Sequence, residues 1–189
     1  MAKLDFDLPV PQLGKVSIPG GYLVPAIGLG VFAHSIRLHD RISDVLRIRH
    51  TFDTRVILRR FAEELEIGDV DAVFSNRSRA MRIAFYSYAS STDPKIDKHS
   101  ILEALDNWAW FWSLVESWFV VTTTGVVLTV FGSEKIGIAT VGVATAGLLL
   151  LSPIYLSQCK RYANIQIDAI LELENSKSVI AEKLNALSN

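Results

Sequence analysis

Cysteine is almost missing from this sequence: Cys159 is the only one in 189 residues. An intramolecular disulfide is thereby excluded, as is any zinc site that needs two thiolates. A surplus of positive charge is missing too, with 19 Lys and Arg against 20 Asp and Glu and a formal net charge of −1. Nothing is left over to displace counterions from a phosphate backbone, so a nucleic-acid binder working by bulk electrostatics is excluded. Repeats, low-complexity tracts and flexible linkers are absent, and 50% of the residues are hydrophobic, which argues against disorder.

The spacings that carry catalysis are absent as well. The sequence has no G-x-x-x-x-G-K-[ST], G-x-S-x-G, H-E-x-x-H or C-x-x-C, so the phosphate cradle, serine elbow, zinc helix and redox pair are all lacking. The four histidines, His34, His39, His50 and His99, are scattered. His34 and His39 would sit about 140° apart on a helix, which does not suit two metal ligands. No catalytic, cofactor or metal residues are expected.

What is present is a set of long gaps between charges. Val16 to Ile36 carries no charged residue, Asn107 to Ser133 only Glu116, and Ile136 to Cys159 none. About 20 apolar residues cross the hydrocarbon core of a bilayer as a helix, and all three runs are long enough. A buried helix of a soluble domain keeps a polar stripe, whereas the second and third runs are apolar nearly all round. The first is broken by Pro19, Gly20, Gly21, Pro25, Gly28 and Gly30, which membrane helices tolerate better than soluble ones. A re-entrant segment or a signal peptide are its alternative readings. The acidic Asp5 and Asp7 ahead of it and the poor cleavage site at Phe32-Ala33-His34 speak against the latter.

Lys and Arg flanking the spans set orientation. Arg37, Arg41, Arg47, Arg49, Lys95, Lys98, Lys160 and Arg161 fall on one side, and only Lys3, Lys15 and Lys135 on the other. The expectation is an all-α integral membrane protein of the cytoplasmic (inner) membrane, with three transmembrane helices continuing into a cytoplasmic helical bundle. Residues 1–15 form an outside tail, 16–36 span one, 37–107 the bundle, 108–156 a hairpin of spans two and three, and 157–189 a cytoplasmic C-terminal helix.

Helix breakers divide the remainder. No Gly or Pro separates Gly30 from Gly68, so span one should run on as a single helix, with Leu38, Ile42, Val45, Phe52 and Val56 on its buried face, until Gly68 caps it. Asp69 or Asp71 should start a second helix with Val73, Ala80, Ile83, Ala84 and Tyr88 inward, and Ser90 to Pro94 should turn. After Pro153 a last helix should bury Ile167, Ile170, Leu173, Ile180, Leu184 and Leu187.

Candidate functional residues follow from these placements. Trp108, Trp110, Trp112 and Trp118, every tryptophan of the chain, crowd the cytoplasmic mouth of span two and should anchor it at the headgroups. Glu116 is the one carboxylate inside a span, and intramembrane carboxylates need a partner. His34 is the expected one, forming a pH-sensitive ionisable pair. Ala139, Gly142 and Ala146 on span three, and Ala26 with Gly30 on span one, give small-residue ridges for close helix packing. Gly125, Gly137 and Thr122 to Thr124 would line a pore if there were one, and otherwise face neighbouring helices. Arg55, Arg59 and Arg60 are candidates to touch a partner or lipid headgroups, though Glu63, Glu64 and Glu66 can pair with them locally. Asn76-Arg77-Ser78 has the form of a glycosylation acceptor but falls in the cytoplasmic part.

Three spans enclose little volume, so a homo-oligomer is expected. The first functional reading is a non-enzymatic membrane protein that anchors a soluble cytoplasmic partner and relays a membrane event to it as sensor or scaffold. The alternative is an oligomeric pore-forming or membrane-perturbing effector. In layout alone, the hairpin followed by Lys160-Arg161 and a long C-terminal helix resembles small membrane components of bacterial antiviral defence systems. A membrane-bound enzyme ranks third.

Overall fold

A computed structural model of the chain describes residues 27, 28, 30–32, 35 and 37–187. Every regular element among them is helical, with one isolated bridge between Ala89 and Pro94. In chain order they are α1 (Leu38–Val45), α2 (Ile48–Phe52), a π-helical turn (Asp53–Leu58), α3 (Arg59–Glu64), α4 (Val70–Ser75), α5 (Arg77–Met81), a second π-helical turn (Arg82–Tyr86), α6 (Lys98–Phe131), α7 (Glu134–Glu172) and α8 (Ser176–Asn185). Two of them, α6 and α7, are long and apolar enough to cross a membrane. Most of the first uncharged run, expected as a third span, lies outside the described residues.

The chain divides into two compact units. One comprises Ile42–Phe111 and Ser152–Asn189. Its core gathers Leu58, Phe61, Val73, Met81, Ile167, Ile170, Ile180 and Leu184, all fully buried. Val73, Ile167, Ile170, Ile180 and Leu184 are on the faces that the periodicity turns inward, whereas Leu58, Phe61 and Met81 are buried without having been expected there. Cys159 is buried in the same core. Caps fix the helix starts: the Asp69 side chain accepts the Ala72 N–H at 2.9 Å, and Asp97 Oδ2 accepts the Ser100 N–H at 2.9 Å. At the expected turn, Ser90 Oγ accepts the N–H groups of Thr92 and Asp93.

The helix expected to run unbroken to Gly68 is interrupted instead. Arg37 and Arg47 adopt left-handed conformations, with φ of 49° and 53°. At the second break Asp44 O accepts the Arg47 N–H, and the Ser43 hydroxyl accepts the Arg49 N–H at 3.3 Å. A short polar side chain thus satisfies a donor freed at the start of α2, and no Gly or Pro is needed. The break turns Val45, expected inward, outward to 81% exposure.

Gly68 does not cap α3 either. Glu66 takes the left-handed position, φ 53°, and the Ile67 N–H reaches back to Ala62 O at 3.0 Å while Ile67 is buried. That is a Schellman closure with glutamate where glycine is usual. Pro153 likewise ends nothing and lies inside α7. Asn175, at φ 61°, makes the real break before α8, in keeping with asparagine's tolerance of that region.

The other unit comprises Trp112–Leu151 with the described residues up to Arg41. Within it α6 and α7 form a hairpin that turns at Gly132 and Ser133, between the second and third uncharged runs. Gly132 N–H bonds to Leu128 O and Gly137 N–H to Ser133 O. Apolar side chains cover its outside: Val130, Val143, Leu149 and Leu150 are each about two-thirds exposed or more.

Candidate functional site

Glu116 lies on α6 one helical turn beyond Trp112, so the two side chains share a face. Against that face stands His39 of α1, with Nδ1 2.9 Å from Glu116 Oε1 and its ring 5.9 Å from the Trp112 ring. On the other side of the imidazole, Nε2 lies 3.5 Å from Asp40 Oδ1, and Asp40 Oδ2 holds Arg37 Nη2 at 2.7 Å. The result is a row of carboxylate, imidazole, carboxylate and guanidinium. A neutral imidazole has one N–H and can donate to only one of its two carboxylates, whereas an imidazolium donates to both and neutralises the row.

Glu116 therefore has a histidine beside it, but it is His39. The expected partner, His34, lies outside the described residues. On a helix running straight through Arg37, His39 would lie about 7.5 Å further along the axis than His34. The left-handed residue at 37 removes that assumption.

The four tryptophans point to different surroundings. Trp108 packs edge-on against Phe52 at 4.7 Å and against Phe111 at 5.8 Å. Trp110 is 63% exposed, Trp112 faces His39, and Trp118 donates its indole N–H to Thr145 Oγ1 of α7 at 3.3 Å. At 100° per residue, Trp108 and Trp112 share a face while Trp110 and Trp118 fall well away from it, so crowding in sequence does not make one cluster in space.

The tight helix contact also falls elsewhere than on the ridges chosen from sequence. Ala139, Gly142 and Ala146 are exposed, and a Cβ added at Gly142 or Gly30 would meet nothing within 4 Å. Ala26 lies outside the described residues. Gly125 and Gly137 make the close approach: a Cβ on Gly137 would lie 2.6 Å from the Gly125 carbonyl oxygen and overlap Thr129 Oγ1. These two glycines pack within the hairpin. Nearby, Thr124 and Thr129 return their hydroxyls to the carbonyls of Val120 and Gly125, while Thr122 Oγ1 is buried with no partner among the described residues.

Of the three arginines proposed to reach outward, two are engaged. Arg59 pairs with Glu63 at 2.9 Å, and Arg60 with Asp168 at 2.5 Å and with Asn164 O at 3.4 Å. Arg55 remains exposed. An ion pair not foreseen from sequence joins Arg77 Nη1 to Asp53 Oδ2 at 2.6 Å. Burial pushes the Asp53 carboxyl above its ordinary 3.8, against the pull of Arg77, Arg49 and His50.

Comparison with curated proteins and with solved structures finds no match. A family model covers residues 3–182, nearly the whole chain, and on that ground the chain belongs to the YmfE protein family.

Proposed function

We propose that this is a non-enzymatic integral protein of the inner membrane, with α6 and α7 crossing the bilayer as a hairpin and the uncharged run 16–36 adding a third span. In this reading the N-terminus is outside and the bundle and C-terminus are cytoplasmic. The protein assembles as a homo-oligomer, docks a soluble protein partner and relays a membrane event to it.

One observation carries the membrane reading. Only 11% of the most apolar stretch of α6 and 6% of that of α7 is buried. A core helix of a soluble protein would have that surface covered, and an uncovered apolar face of this length has no stable place in water. Lipid solvates it, and the unbroken helices satisfy their own backbone groups there. The relay is supported by helix continuity: α6 and α7 each run without a break from an apolar stretch into residues of the Phe61 and Ile167 core, so a tilt or rotation at one end is transmitted.

Alkaline washing of membranes followed by ultracentrifugation tests the first claim, with the chain expected in the pellet until detergent is added. Recovery in the supernatant overturns it. For the relay, liposomes holding only this protein should retain an entrapped dye; leakage would replace the relay with membrane perturbation.

A further inference from the structure

Between the end of α1 and α5 lies a cavity of about 330 Å³, walled by Ser43, Asp44, Arg47, Arg49, His50 and Arg77. Three arginines and a histidine thus line one small space, with Asp44 the one carboxylate on its wall and Asp53, paired with Arg77, beside it. Like charges at such close quarters repel, and they are held together most readily around an anion.

Two of the basic groups are oriented by protein partners. Arg77 is steered by Asp53, a pairing that uses one of its five N–H donors. Arg49 reaches the Tyr86 hydroxyl at 3.5 Å, and its backbone N–H is fixed by the buried Ser43 hydroxyl. That hydroxyl, having accepted, still has a proton to give on the cavity wall. Arg37, Arg59, Arg60 and Arg77 each hold a carboxylate, whereas Arg47 holds none among the described residues. Arg47 also occupies a left-handed conformation, φ 53°, where glycine would sit without strain. A left-handed arginine with no carboxylate partner among the described residues, at the rim of a basic cavity, reads as a residue kept for a ligand.

We infer that this cavity binds a phosphate-type anion, either free phosphate or the headgroup of an anionic lipid. Planar guanidiniums match the phosphate oxygens in pairs, and the volume is that of a small-ligand pocket. The site differs from the Arg55, Arg59 and Arg60 surface, and it does not depend on the membrane reading, because free phosphate needs no bilayer.

The test uses the full chain in a nonionic detergent. Inorganic phosphate is titrated calorimetrically, and phosphatidylglycerol or phosphatidylcholine is added for native mass spectrometry. Wild type is expected to bind phosphate, to retain phosphatidylglycerol over phosphatidylcholine, or to do both in competition; phosphate alone identifies the free anion and phosphatidylglycerol alone the headgroup. Arg47→Gly should weaken the bound species at least about tenfold while melting no lower than wild type, since glycine relaxes the backbone at 47. Arg49→Gln should weaken it similarly and carries the test should Arg47→Gly fold poorly. Lys177→Gln, exposed on α8 and away from the cavity wall, should bind as wild type. Binding of neither probe, or equal binding by Arg47→Gly and Arg49→Gln, overturns the inference.

Discussion

Gly137 meets Gly125 backbone to backbone, so close that a Cβ on Gly137 would stand 2.5 Å from Thr129 N and 2.6 Å from Gly125 O. The obstacle is main chain on both sides, which no side-chain rotation relieves. Gly137→Ala should therefore destabilise the hairpin by about 1–3 kcal/mol, the usual cost of overpacking. Gly142→Ala, with open space around it, should cost nothing. Thermal melts of the two variants in detergent check the pair; equal melting would mean that the helices pass further apart.

His39 and Glu116 should be energetically coupled. Their side chains are 28% and 23% exposed and 2.9 Å apart, so a double-mutant cycle with His39→Ala and Glu116→Ala is expected to give about 1 kcal/mol of interaction. Simple additivity in the four melts would remove the contact from the account of how α1 meets α6.

The Asp53 carboxyl gives stability a definite slope with pH. Its folded-state pKa lies above 3.8 because burial outweighs the Arg77, Arg49 and His50 charges. The folded state therefore binds the proton more tightly than the unfolded state, and the contribution is full below 3.8 and lost as pH rises through the folded value. Wild type should gain in melting temperature relative to Asp53→Asn as the solution is acidified from neutrality toward pH 4. A relative loss on acidification would show that the Arg77 pair outweighs burial.

Glu66 should prefer to be glycine. A Cβ in the left-handed region costs about 1–2 kcal/mol, and Glu66 lies there at the end of α3. Glu66→Gly is expected to stabilise by about 1 kcal/mol, whereas Gly68→Ala, with nothing within 4 Å of its added Cβ, should be close to neutral. Denaturant or thermal unfolding of both variants decides it.

Much of the architecture was legible because a buried face and a long apolar helix both write themselves into hydropathy. The charge gaps located α6 and α7, and the three-four spacing found Val73, Ala80, Ile167, Ile170, Ile180 and Leu184 before any coordinates. What stayed illegible were breaks made by ordinary residues. Arg37, Arg47 and Glu66 end or bend helices through hydrogen bonds that form only once the chain is folded. A rule that looks for Gly and Pro passes over them.

The candidate site suffered from the same blindness. His34 was named for Glu116 from its place near the end of span one, and His39, which stands beside Glu116, was not weighed. The packing glycines were noticed as Gly125 and Gly137, yet the ridge favoured by spacing was Ala139, Gly142 and Ala146, since no sequence rule says which of two small-residue faces meets its neighbour. Arg60 looked available only because Asp168 is more than a hundred residues away.

One consequence of the buried Cys159 is practical. It is the chain's sole thiol and is 1% exposed at the centre of the core that joins Phe61 to Ile167. A maleimide should thus ignore the folded protein and label it at a single place on opening, so the protein carries a built-in clock for its own unfolding, readable on the purified chain.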